Sequence, residues 1–210
     1  GAFEAMVALL DRHPRLGVVG AELLNLDGSL QPSWAAFPTW LSEVLGRNFR
    51  ARRPMQAEPG AFLVDWVGGA CLAARHEALA DVGLLDEAIF MYTEETDWCY
   101  RFVKAGWGVA YLEGAKVTHL GGGSSRRSSV RSLIELQKSK VYFFDKHYGR
   151  LAARFLHATL TARAWVKMAS VAGRGQGPDS EYQRQRALWQ ALSQGGLPTP
   201  TPRPATPAQL

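Results

Sequence analysis

Three short apolar runs, 16–24, 62–67 and 109–119, alternate with stretches whose apolar residues recur at helical spacing. Strands that alternate with helices confine the chain to an α/β fold, a sandwich with at least part of its sheet parallel. The first run, Leu16-Gly-Val-Val-Gly-Ala-Glu-Leu-Leu24, is short and β-branched, and the Asp27-Gly28 pair behind it predicts a tight hairpin into 29–31. Ahead of it, Phe3, Met6, Val7, Leu9 and Leu10 mark an opening helix that His13-Pro14 ends, because a residue before proline avoids the α region. The chain starts at Gly1 directly inside this pattern and reads as a piece of something longer.

The run 62–67 reads as one strand entering Gly68-Gly69, whose glycines permit close approach of backbone or ligand. A helix is expected over 76–82 and another over 94–105, stopped by Gly106. Residues 109–119 read as a strand, a turn at Glu113-Gly114 and a second strand. Between 32 and 60 no regular period survives: four prolines, Trp34, Phe37 and Trp40, and the basic Arg47, Arg50, Arg52 and Arg53 suit either a surface insertion beside a cleft or a plain irregular connection.

Charge divides the chain. Residues 1–120 hold 10 Lys/Arg against 15 Asp/Glu, 121–173 hold 10 against 2, and 174–210 hold 4 against 2. An acidic body joined to a basic segment implies a negatively charged partner: lipid headgroups, a phosphorylated substrate or nucleic acid. The basic segment has no RNP-like strand, zinc finger or recognition-helix motif, so the sequence does not point to nucleic acid. Within it, a helix over 130–147 is followed by one over 150–172 that interleaves Leu151, Phe155, Leu160, Trp165 and Met168 with Arg150, Arg154, Arg163 and Lys167. This is the composition of a basic amphipathic helix on an anionic membrane surface, and equally of a helix docked on the body by its apolar side. The expected division is therefore a catalytic-type unit over 1–149, an amphipathic helix over 150–172, and a Gly/Pro-rich, mostly disordered tail over 173–210 with a short helix near 181–192. Cys71 and Cys99 form no C-x-x-C pair and read as buried free thiols of a cytoplasmic protein. No apolar run reaches the roughly 18 residues a membrane span requires.

Chemistry concentrates in Phe90-Met-Tyr-Thr-Glu-Glu-Thr-Asp-Trp-Cys-Tyr-Arg-Phe102. Thr93 is placed to cap the helix, and first-turn acids oppose the positive end of its dipole, which alone accounts for their presence. Their faces differ, however. Asp97 meets Arg101 at i+4 and has Glu94 near it, a charged face; Glu95 shares a stripe with Trp98, Cys99 and Phe102, which turn inward. A carboxylate at the mouth of a core is a candidate general base. His119, at a strand end before Gly121-Gly-Gly123, stands where ligands of α/β sheets collect and can reach a metal or phosphate, although a lone histidine is more often structural. Arg126 and Arg127 in the Gly/Ser loop can fork onto a diphosphate.

The ordered segments Gly17-Val-Val-Gly, Leu24-Asn-Leu-Asp-Gly-Ser-Leu-Gln31, Val64-Asp-Trp-Val-Gly-Gly-Ala-Cys-Leu72, Val82-Gly-Leu-Leu-Asp86, Tyr92-Thr-Glu-Glu-Thr-Asp-Trp-Cys99, Ala105-Gly-Trp107 and Val117-Thr-His-Leu-Gly-Gly122 resemble the second half of a family 2 glycosyltransferase, in its rhamnosyltransferase-like branch. The resemblance implies a partial GT-A fold, a mixed sheet flanked by helices. It implies a nucleotide-sugar donor, a divalent metal (Mn²⁺ or Mg²⁺), an inverting displacement, and a glycan or lipid-linked acceptor at the inner face of the membrane. Carried over by position, the family's Glu-Asp pair falls on Glu94-Glu95, with glutamate in place of aspartate at the base. The metal-side histidine falls on His119, and Asp65, Trp66, Gly69 and Ala70 match the segment that shapes the sugar and acceptor pocket. The Asp-x-Asp metal motif of the family's first half has no counterpart in these 210 residues, so the chain alone is expected to lack a complete donor site and to be inactive. The rival expectation is a non-catalytic module that docks on membrane or a partner, with a vestigial acidic site.

Overall fold

The computed structural model describes residues 1–46, 55–120, 130–172 and 180–195. Arg47, Arg50, Arg52, Arg53, Arg126 and Arg127 lie outside the described residues, as do 173–179 and 196–210. The first half runs α1 (Ala2–Arg12), β1 (Leu16–Leu24), β2 (Leu30–Gln31), β3 (Trp34–Ala35), α2 (Trp40–Leu45), β4 (Met55–Glu58), β5 (Ala61–Leu63), β6 (Trp66–Val67) and β7 (Leu72–Ala74). It continues through α3 (His76–Val82), α4 (Glu94–Lys104), β8 (Gly108–Thr118), α5 (Val130–Tyr148), α6 (Arg150–Val171) and α7 (Glu181–Gln194).

Strand β1 is the spine of the main sheet. Its order is β2-β1-β8-β5-β4, with β7 also paired to β1. Among the described residues only β1 and β8 run parallel, so their carboxyl ends share one edge; the other pairings are antiparallel and the sheet is mixed. One face carries α1, through Met6, Leu9 and Leu10 against Val19, Ala21 and Leu112. The opposite face carries α4, whose Trp98, Cys99 and Phe102 meet Val18, Val67, Val109 and Tyr111. Phe102 is fully buried, and burial of a side chain that size contributes roughly 2–3 kcal/mol. Gly20 lets β6 cross close to β1: a Cβ there would stand 2.4 Å from Val67 Cβ. A third cluster, with Val141, Phe143, Phe144, Leu156, Leu160, Leu188 and Leu192, joins α5, α6 and α7.

The structure revises several expectations. The run 62–67 is two strands, β5 in the main sheet and β6 paired with β3 in a separate two-stranded sheet, because the chain leaves the sheet at Val64-Asp65. Glu113-Gly114 is not a turn between two strands. Both halves of β8 stay on β1, and the register jumps from Ala21↔Leu112 to Glu22↔Lys116. The extra residues form a bulge in which Gly114 takes φ 82° and its N–H donates to Glu22 Oε2 at 2.6 Å. Region 32–60 is less irregular than its sequence, holding β3, α2 and β4. Of the two alternatives for the helix over 150–172, docking holds for one side: Ala153, Leu156, Leu160 and Ala164 are buried against its neighbours. The short helix expected near 181–192 is present as α7.

Candidate active site

The site is organised by the start of α4. Tyr92 and Thr93, directly before the helix, both take left-handed backbone conformations, φ 62° and 71°. Two consecutive non-glycine residues there are uncommon and hold local strain that the surroundings must enforce. Part of that enforcement comes from α5, where the Ser139 hydroxyl donates to Met91 O at 2.9 Å. Thr93 sits at the N-cap position but makes no side-chain cap, contrary to the expectation from its residue type. The strained entry instead sets the direction in which Glu94 and Glu95 leave the helix.

Both glutamates keep a buried carboxylate oxygen, Oε2, with no hydrogen-bond partner among the described residues. Burial first, and the charge of Glu94 second, push the Glu95 carboxyl up to about 7, while the N–H groups of Glu95 and Thr96 pull against the shift. Behind it the Cys99 thiol is pushed by burial to about 12 and stays an inert apolar group. In front lies Gly69, where a Cβ would stand 3.6 Å from Glu95 Cβ; Gly69 and Ala70 are exposed and form the open side of the site. A carboxylate that is partly desolvated, unpaired and beside a glycine turn can accept a proton near neutral pH.

Asp97 behaves in the opposite way. It is not on a solvated face with Glu94 but has no exposed surface at all. Oδ2 accepts from Arg101 Nε at 2.8 Å, and Oδ1 lies 2.7 Å from both His147 Nε2 and Lys146 Nζ. Burial alone would raise its carboxyl; His147 and Lys146, then Arg101, outweigh that and hold it at about 2. Lys146 also reaches Asp86 Oδ2 at 2.6 Å, where the Tyr142 hydroxyl donates at 2.9 Å. Arg101 donates further to Val82 O and Leu84 O. Asp97 is thus the knot that fastens α4 to α5 and to the loop after α3. The sequence reveals only its Arg101 contact, because His147, Lys146 and Asp86 come from distant segments.

Asp65, just before β6, and Trp66, its first residue, each hold neighbouring backbone. Asp65 Oδ2 accepts the Phe37 N–H at 2.8 Å and Trp66 Nε1 donates to Ala36 O at 2.9 Å, pinning the segment after β3. His119 follows β8 at the carboxyl edge shared with β1, its N–H on Leu24 O. Its Nδ1 lies 2.7 Å from Gln31 Oε1, a partner the sequence did not suggest. With the amide so oriented, Nδ1–H donates to Gln31 Oε1 and fixes the plane of the ring. Among the described residues no group of three or more His, Cys, Asp or Glu stands close enough to hold a metal ion, so these residues do not form a metal site by themselves. A cavity of about 920 Å³ between α2, α5, α6 and α7 is lined by Glu43, Lys140 and Arg163 among others, and by none of the candidate catalytic, substrate-binding or metal residues.

Comparison with known proteins adds two findings. A family model described as glycosyltransferase like family 2 matches residues 1–140. Two Mycobacterium tuberculosis sequences, from strains CDC 1551 / Oshkosh and ATCC 25618 / H37Rv, carry the name N-acetylglucosaminyl-diphospho-decaprenol L-rhamnosyltransferase. Each is 35% identical over 160 residues, 71% of this chain and 52% of the relative. The chain spans about half the length of the curated relatives it matches.

Proposed function

The chain belongs to the family 2 glycosyltransferases, and from that premise we propose that it carries the acceptor-activating part of an inverting enzyme that moves a sugar, rhamnose by its relatives, from a nucleoside-diphosphate donor to a lipid-linked cell-envelope glycan. Glu95 is the general base. It takes the proton of the acceptor hydroxyl as that oxygen forms a bond to the sugar's anomeric carbon; the bond from that carbon to the diphosphate oxygen breaks, and its electron pair leaves with the nucleoside diphosphate. Attack opposite the leaving group inverts the anomeric centre. Glu94 keeps the Glu95 carboxylate basic by its charge, and Gly69 and Ala70 leave room for the acceptor.

A divalent cation such as Mn²⁺ or Mg²⁺, when bound, neutralises charge on the leaving diphosphate. His119, oriented by Gln31, would offer such a cation one ligand. Arg126 and Arg127 are assigned to the diphosphate. The reaction takes place at an anionic membrane surface, where the acceptor resides.

One observation carries this reading: the unpartnered, buried Glu95 oxygen on a carboxyl raised to about 7. In the protein carrying this chain, Glu95→Gln lowers turnover by about 10² or more with donor affinity nearly unchanged, because only proton transfer is lost. Near-normal turnover in Glu95→Gln, with a large loss in Glu94→Gln, would move the role to Glu94.

A further inference from the structure

Helix α6 has two apolar sides. Ala153, Leu156, Leu160 and Ala164 form the buried one. On the opposite side Leu151, Phe155, Trp165 and Val166 are 69%, 65%, 53% and 57% exposed. At about 100° per residue these four fall within one stripe, joined by the exposed Ala158, Ala162 and Ala169. Core packing explains the first side and leaves the second without a partner among the described residues. An apolar stripe of this length on an outward face marks an interaction surface.

The charge around the stripe selects the partner. The 22 residues of α6 contain no acid; Arg150 and Arg154 flank the stripe on one side, and Arg163, which donates to Glu43 O, follows on the other. Arg150 pairs with Asp145 yet remains 50% exposed, so its long stem can reach toward headgroups. Trp165, beside an apolar groove shared with Trp189 and Leu192, suits the boundary between headgroups and acyl chains. No helix among the described residues is long and apolar enough to cross a membrane.

We propose that the outward stripe of α6, centred on Leu151, Phe155, Trp165 and Val166 and flanked by basic residues, docks the protein onto an anionic lipid bilayer. The inference rests on the reading above, from which it takes the need to work at a membrane, and it names the surface that does so.

Purified protein is sedimented with vesicles of phosphatidylcholine alone and of phosphatidylcholine mixed with phosphatidylglycerol. Binding is expected to the mixed vesicles at low salt, with release as the Debye length shrinks below about 8 Å. Phe155→Ser combined with Trp165→Ser lowers partitioning about tenfold or more, since two apolar anchors are lost. Arg154→Ala lowers it about fivefold, the loss of one surface charge. All three positions are exposed, so the thermal unfolding curve stays unchanged and reports on folding independently. Absence of binding to the mixed vesicles, or equal binding by wild type and the double variant, overturns the proposal. So does a monomer–dimer equilibrium abolished by the same double substitution, which assigns the stripe to a second copy. Sugar transfer to a short water-soluble acceptor separates the two readings. It persists in the stripe variants whether or not docking is correct, and it is lost in Glu95→Gln only if the catalytic reading holds.

Discussion

Glu95 and Asp97 stand two residues apart in the first turn of one helix, both carboxylates removed from water, and the structure treats them in opposite ways. Asp97 receives three cationic or proton-donating partners, Arg101, Lys146 and His147, and is held at about 2. Glu95 receives no side-chain partner for Oε2, has a second carboxylate beside it, and rises to about 7. Position on the helix decides the difference. Asp97 turns to the seam with α5, where α5 brings Lys146 and His147, whereas Glu95 turns to the Gly69-Ala70 turn, which offers no charge. One carboxylate fastens the helix and the other is left by that rigid frame without a charge partner.

The largest expected effect breaks the fastened half of the comparison. Asp97→Ala leaves Lys146, Arg101 and His147 around a site without its acceptor, and such uncompensated buried charge costs about 3–5 kcal/mol. Since whole domains are stable by about 5–15 kcal/mol, chemical denaturation should show a severe loss. The sign with pH follows from a lowered carboxyl. The stabilisation by Asp97 is fully present above its ordinary value of 3.8 and disappears as pH falls toward about 2. The gap between wild type and Asp97→Ala should close over that acid window, and a gap constant with pH would contradict the ion-paired account.

A smaller, opposite effect sharpens the reactive half. Glu95 is raised from 4.5 to about 7, so the folded chain holds its proton more tightly than the unfolded chain does. Its ionisation therefore costs stability as pH rises from about 4.5 to about 7, by up to about 3 kcal/mol at about 1.4 kcal/mol for each factor of ten in proton affinity. Glu95→Gln should match wild type in denaturant midpoint near pH 4.5 and exceed it at pH 8. A variant less stable than wild type at both pH values would show that Glu95 has a stabilising partner after all.

The reactive half was the more legible in sequence. The spacing of Glu95, Trp98, Cys99 and Phe102 placed Glu95 inward, and the helix bounds of α4 agreed with the structure to within a residue. The fastening half was not, because its contacts join residues about 50 and 56 positions apart, Asp97 to His147 and Asp86 to Tyr142, and local periodicity carries no trace of such pairs. Elements built on periodicity, α1, β1, α3 and α4, were readable for the same reason. The break at Val64-Asp65 was hidden inside an unbroken apolar run, and Gly114, a turn residue by type, was absorbed as a bulge because β1 pairs both halves of β8. The strained Tyr92-Thr93 pair gave no signal, since neither residue type favours positive φ.

The most direct test of the central contrast is a titration of the glutamate carboxyls by NMR on carboxyl-¹³C-labelled protein, with Glu95 identified by the resonance missing in Glu95→Gln. The account predicts that this resonance titrates near 7, well above the ordinary 4.5 of a glutamate, as the desolvated and unpaired carboxyl requires. A Glu95 resonance titrating near 4.5 would contradict it and remove Glu95 as the base poised at neutral pH.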